Sequence, residues 1–194
     1  MVSQDVYPRI ESSDGILGTM AQMVAMMKHH GYKGLAAPQV GILQQLVVVR
    51  LEDGRYLDLV NPVITRMYGA EFESLETCIS CPPRDNGCKV ARMQIIHVTA
   101  SRVQQLDSVV DLRFKGPDAR LIQHEIDHLE GTFFFERASI KDKVDVIQRY
   151  KNWQLTHRQE TLNGSRSDIT TQDKAAKTDS IPIWGRSHNL RIMR

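Results

Sequence analysis

The 194-residue chain contains no apolar run long enough to cross a membrane, which excludes a helical membrane protein. It carries little net charge, +2 at neutral pH, and no basic stripe interleaved with aromatic rings, so specific nucleic-acid binding is not expected. Cysteine is scarce: three residues, an odd number crowded between positions 78 and 88, in a chain with no signal peptide. That combination excludes a disulfide scaffold and points to the reducing cytoplasm, where free thiols persist. Internal repeats are absent. What is present, 41% hydrophobic residues over a length adequate for a substantial core, fits one globular domain over residues 1 to 153. From Gln154 the composition turns to Ser, Thr, Asp, Lys, Gln and Asn without a sustained period, so residues 154 to 194 read as a polar, mobile tail. Within it, Ile181-Pro182-Ile183-Trp184 is an apolar patch able to dock on the domain or on a partner.

The strongest chemical signal is Leu121-Ile122-Gln123-His124-Glu125-Ile126-Asp127-His128-Leu129-Glu130-Gly131. On a helix, His124 and His128 are one turn apart and project from one face, where both imidazoles can grip one cation. Glu125 lies about 100° round the helix and reaches a water beside the metal rather than the metal itself. The chemistry to expect is metal-assisted hydrolysis.

Two histidines leave a catalytic site one protein ligand short. His29, His30, His97, His157 and His188 lack motif context and read as ordinary solvated or hydrogen-bonded histidines. Cys78, Cys81 and Cys88 are the better source. Cys78-x-x-Cys81 does not read as a redox motif, because Pro82 and Pro83 follow at once and argue for an extended or turning chain in place of the helix such motifs open. An extended chain would point positions i and i+3 to opposite faces, so one cysteine of the three is expected as the ligand. Further upstream, Gly34-Leu35-Ala36-Ala37-Pro38-Gln39 offers small residues ending in a glutamine. A neutral amide beside a metal donates N–H to a developing oxyanion without competing for the cation.

In order and spacing, the three segments resemble the three motifs of the peptide deformylases, G-x-G-L-A-A-x-Q, E-G-C-L-S and Q-H-E-x-D-H, over residues 15 to 153. The third agrees at every specified position. The resemblance implies that Cys78, His124 and His128 hold the metal and that Glu125 is the general acid and base. It gives the oxyanion to Gln39 and the Ile79 backbone N–H, and the substrate to Tyr32, Lys33, Gly34 and Ile79. It implies removal of formyl from the N-terminal methionine of nascent polypeptides in the cytoplasm, with Fe2+ as the metal and Zn2+, Ni2+ or Co2+ as chemically suitable alternatives. A ribosome contact is compatible with the charge of the chain. Tyr32, Lys33, Thr77 and Ile79 depart from the motifs without removing a catalytic group, so the same chemistry on another formylated amine or peptide is the alternative. A non-catalytic, metal-stabilised binding module is a third. The segment before the first helix is shorter than in typical members, which predicts a missing edge strand.

The architecture expected is α+β, mostly antiparallel sheets around a central metal-binding helix carrying H-E-x-x-H. Residues 13 to 30 predict a helix capped by Ser13 or Asp14, with Ile16, Met20, Met23 and Met27 on its core face and Gly31 at its end. Leu46 to Leu51 and Tyr56 to Val60 predict a hairpin through Asp53-Gly54, with further strands near 71–75, 90–99 and 107–114. Gly116-Pro117 starts the metal helix, Ala119, Ile122, Ile126 and Leu129 form its apolar side, and Gly131 stops it. Phe133 to Phe135 predict a short buried strand, and Ser139 caps a last helix through Val144, Ile147 and Tyr150 to Trp153. Glu76 and Asp127 are the acidic candidates for orienting the imidazoles.

Overall fold

The computed structural model describes residues 15–164, with side chains through 157. The elements run α1 (Ile16–His30), β1 (Gly34–Ala36), a 3-10 turn (Ala37–Val40), β2 (Leu46–Arg50), β3 (Tyr56–Glu76), β4 (Cys88–Arg102), β5 (Gln105–Lys115), α2 (Gly116–Leu129), a second 3-10 turn (Phe134–Arg137) and α3 (Ile140–Gly164). The class is therefore α+β. The five strands form one sheet in the order β1-β2-β3-β4-β5, and the β1–β2, β2–β3 and β4–β5 pairs are antiparallel.

α1 buries Ile16, Met20, Met23 and Met27, the spacing of one helical face, and ends at Gly31 with φ 71°, where the absence of Cβ permits the left-handed cap. Its N-cap is Gly15, without a side-chain bond; Ser13, Asp14 and the expectation about the N-terminal segment lie outside the described residues. β2 and β3 form the anticipated hairpin, closed by Gly54 N–H donating to the Leu51 carbonyl. β3 does not stop at Val60, however. It runs on through Asn61-Pro62 to Glu76 and absorbs the separate strand expected at 71–75. Asn61 takes φ 51° and donates its N–H to the Gln45 carbonyl, so a pair that reads as a terminator is a bend within the strand. At the two-residue loop between β4 and β5, Asp58 accepts both Arg102 Nη2 and the Val103 N–H at 2.6 Å.

The described chain divides into two compact units, one comprising residues 15–73 with Ala91–Phe134, the other Ser74–Val90 with residues 135–164. In the first, α2 packs on β1, β2 and β5, and Ala119, Ile122, Ile126 and Leu129 join Val47, Val49, Leu57, Leu59, Ile96 and Val98 in one core. Each Val, Leu or Ile side chain of this core removed from water contributes about 1.5–3 kcal/mol. Gln123 secures the helix further, its Nε2 donating to the carbonyls of Met93 at 2.9 Å and Ala119 at 3.0 Å.

In the second unit, Ser139 Oγ accepts the Asp142 N–H at 3.1 Å, the N-cap anticipated for α3. The buried position of this helix is Val146, whereas Val144 is 58% exposed, so the apolar face runs through Val146, Tyr150 and Trp153. The helix continues past Trp153 to Gly164, into the segment expected as tail; the rest of that tail, with Ile181–Trp184 and His188, lies outside the described residues. Phe134 and Phe135 are buried, but in a 3-10 turn instead of the expected strand, because the chain must reverse between Gly131 and Ser139. Among the described residues, no helix is long and apolar enough to cross a membrane.

Candidate metal centre

α2 starts directly from β5: Lys115 is extended, Gly116 and Pro117 open the helix, and the apolar stripe fixes its rotation against the sheet. That rotation decides where the histidines and Glu125 point. His128 and Glu125 are buried and His124 is half-buried. The His124 and His128 rings meet edge to face with centroids 5.0 Å apart, and Phe134 stacks on His124 at 6.1 Å. Gly131, with φ 71°, follows the last turn.

Gln39 reaches this face from the 3-10 turn after β1. Its Oε1 accepts the Ala36 N–H at 2.8 Å, which fixes the amide orientation, and its Nε2 lies 3.1 Å from His128 Nε2. An amide nitrogen only donates, so His128 Nε2 must accept and carry its lone pair towards the amide. Gly34 supplies room for Glu125: a Cβ built on Gly34 would lie 2.7 Å from Glu125 Cδ and 2.8 Å from Cγ, closer than real side chains allow. The glycine of the first motif thus shapes the space occupied by the carboxylate.

Asp127 is held in an ion pair. Its Oδ2 lies 2.8 Å from Arg92 Nη1, with both side chains almost wholly buried. No sequence motif marks Arg92; its only signal is a cation in the inward phase of β4, in step with Val90. Glu76 is buried at the end of β3. Tyr32 is half-buried and stacks on His30 with centroids 5.1 Å apart, while Lys33 is exposed and pairs with Glu52 at 3.3 Å.

Around the cysteines the chain takes the turning form of the two that Pro82 and Pro83 allow, since Cys81 N–H donates to the Cys78 carbonyl at 3.0 Å. Ser80 N–H points at Cys78 Sγ at 3.4 Å, a contact that favours a thiolate. Ile79 sits in the same turn, half-buried. Burial, reinforced by Cys78 and Cys88, pushes the Cys81 thiol up to about 12, and burial with Asp142 and Glu76 raises Cys88 to about 11. Both therefore stay protonated near neutrality. The fully buried Asn86 ties the turn to α3: its Nδ2 donates to Cys81 Sγ, the Pro82 carbonyl and the Val146 carbonyl at 3.2–3.3 Å. Arg149 completes the tie, donating to Asn86 Oδ1 at 2.9 Å and the Gly87 carbonyl at 2.8 Å.

Among the described residues, Cys78, His124 and His128 are a group that can hold a metal ion. One thiolate and two imidazoles suit zinc and the late first-row divalent metals, with one position left for water or substrate.

Comparison with known proteins agrees with this chemistry. The family model for polypeptide deformylase matches residues 2–144. A peptide deformylase of Pelotomaculum thermopropionicum is 37% identical over 131 residues, 68% of this chain and 79% of that protein. One from Desulfitobacterium hafniense is 40% identical over 138 residues, 71% and 88% of the two chains. Among solved structures, the Synechococcus elongatus peptide deformylase in complex with actinonin superposes with a TM-score of 0.68 at 33% identity, covering 77% of this chain and 81% of that one. The Thermus thermophilus enzyme gives 0.67 at 31% identity, covering 78% and 93%. The architecture, the donor set and these matches lead to one conclusion: the chain belongs to the polypeptide deformylase family.

Proposed function

We propose that this chain hydrolyses formyl-Met-peptides to formate and Met-peptides with Cys78, His124 and His128 holding one divalent metal ion. Glu125 acts as general acid and base, and Gln39 with the Ile79 N–H stabilises the oxyanion. The observation that carries this reading is the convergence on one face of α2 of the Gln39 amide, fixed by the Ala36 N–H and 3.1 Å from His128 Nε2, with Glu125 in the space that Gly34 leaves clear. When bound, a divalent ion supplies Lewis acidity, lowering the pKa of water from about 15.7 towards neutrality and polarising the formyl carbonyl. Glu125, buried beside the cleared space at Gly34, accepts the proton of the attacking water and delivers it to the departing amine. As the formyl oxygen gains charge, the Gln39 amide donates to it at a cost in barrier of about 3 to 4 kcal/mol when that donor is removed.

Tyr32, Lys33, Gly34 and Ile79 belong on the substrate side of this site. The metal is Fe2+, and an oxidisable ion beside a thiolate predicts loss of activity in air. Nascent formyl-methionyl chains are the substrate, which puts the enzyme in the cytoplasm and makes a ribosome contact part of the same reading.

The test is formate release from formyl-Met-Ala-Ser by protein loaded anaerobically with Fe2+ or Ni2+. Rapid release in wild type, abolished in Glu125→Ala with the metal retained, is the expected result. A loaded protein that releases no formate overturns the reading.

A further inference from the structure

A second cluster of reactive groups lies on β3, β4 and β5, away from the residues assigned to deformylation. Tyr68 Oη is 3.0 Å from His97 Nε2, and His97 Nδ1 is 3.1 Å from Asp111 Oδ1. Arg113 Nε donates to Tyr68 Oη at 2.8 Å, with its guanidinium 5.9 Å from the centre of the phenol ring. The sheet register builds this set: His97 stands opposite Arg113, and Asp111 is its diagonal neighbour two residues along β5. Thr65 Oγ1 adds a bond to the His97 carbonyl at 3.4 Å.

For a neutral His97 the donors and acceptors follow from the chemistry of the groups. An ionised Asp111 only accepts, so His97 carries its proton on Nδ1 and presents the Nε2 lone pair to Tyr68. Arg113 only donates, so the phenol oxygen accepts from it and turns its own proton towards His97. Carboxylate, imidazole and hydroxyl are thereby ordered as orienter, base and nucleophile, with a cation placed against the oxygen that would become negative. A hydrogen bond stapling β4 to β5 needs only His97 and Asp111. The additional phenol is 37% exposed, within reach of a dissolved reagent.

We propose that Tyr68 is a nucleophilic modification site that accepts an acyl group from an activated carboxylic acid derivative, a carbonyl bearing a good leaving group such as a thioester or acyl phosphate. The Tyr68 oxygen forms a bond to the carbonyl carbon and the bond to the leaving group breaks. The phenol proton passes to His97 Nε2 and then to the leaving group. Asp111 holds the imidazole in the required tautomer, and Arg113 stabilises the phenolate as the proton departs.

The experiment uses metal-loaded full-length protein and p-nitrophenyl acetate, with acetylation of each tyrosine followed by peptide mass mapping. A positioned general base contributes about 10²-fold or more. Tyr68 is expected to label at least about tenfold faster than Tyr32 or Tyr56, and His97→Gln is expected to bring it down to their rate. Asp111→Asn, at an exposed position, keeps the fold and offers an amide donor to Nδ1, which forces the wrong tautomer; it too should slow Tyr68 labelling while formate release is unchanged. Equal labelling of all three tyrosines in wild type, or a Tyr68 rate indifferent to both substitutions, overturns the proposal.

Discussion

Gly34→Ala separates catalysis from stability. The new methyl would lie 2.7 Å from Glu125 Cδ and 2.8 Å from Cγ, where carbon pairs normally rest at about 3.5–4.0 Å. The carboxylate must therefore retreat by roughly 1 Å, and a displacement of that size typically costs about 10²-fold in rate. With Glu125 as the proposed general base, the full contribution of such a group, about 10²–10⁴-fold, sets the ceiling. Stability should scarcely change: the alanine lowers unfolded-chain entropy by about 0.4–1 kcal/mol, and an off-rotamer Glu125 costs about 0.5–1.5 kcal/mol. A net change within about 1 kcal/mol moves Tm by about 2–4 °C in a chain of this size. Steady-state formate release and thermal unfolding of the same preparation check both halves. A kcat within threefold of wild type would refute the argument, as would a collapse of Tm accounting for the lost activity. A rise in KM with kcat unchanged would mean that Gly34 acts through the substrate alone.

Asp127→Ala should destabilise the fold by about 3–5 kcal/mol in urea unfolding, because the buried Arg92 guanidinium would lose the Asp127 carboxylate; a loss below about 1 kcal/mol would show that the pair contributes little. Partial burial raises the Asp58 carboxyl, but bonds from Arg102 and Val103 outweigh it and leave it below its ordinary value. Its stabilisation is therefore complete above the unfolded value near pH 3.9 and fades as pH falls through the lower folded value. The Tm gap between wild type and Asp58→Asn, followed from pH 7 to pH 2, should close on the acidic side and stay constant above pH 5. Arg149→Met removes the donors that hold Asn86 and Gly87, and with Cys78 as a ligand should weaken metal retention about 10–100-fold in a chelator competition. An unchanged metal affinity would leave the α3 tie a matter of folding only.

Much of the scaffold could be read from periodicity. The 4-3-4 spacing of Ile16, Met20, Met23 and Met27 before Gly31 defines α1, and all four residues are buried. Ala119, Ile122, Ile126 and Leu129 did the same for α2, and through it for the direction of the histidines. Failures arose where a local rule met a tertiary demand. Asn61-Pro62 carries a turn signature, yet the hydrogen bond from Asn61 to Gln45 lets β3 bend and continue. Val144 fits a helical stripe only until the placement of α3 turns Val146 inward. Within the centre, residue types were legible but pairings were not: nothing in a one-dimensional chain joins Asp127 to Arg92, 35 positions away, or places Glu125 against Gly34. At Cys78 the prolines left an extended or a turning chain open, and the turn is held by Asn86 and Arg149 from farther along the sequence.

The direct passage from Lys115 into Gly116 makes β5 and α2 a geared pair. An α-helix advances about 100° per residue, so one residue inserted at this seam would swing His124, Glu125 and His128 by that angle while turning Ala119, Ile122, Ile126 and Leu129 out of the core. The span from the Val103-Gln104 turn to His124 is therefore a fixed count, open to exchange of side chains at its solvent-facing positions and closed to changes of length.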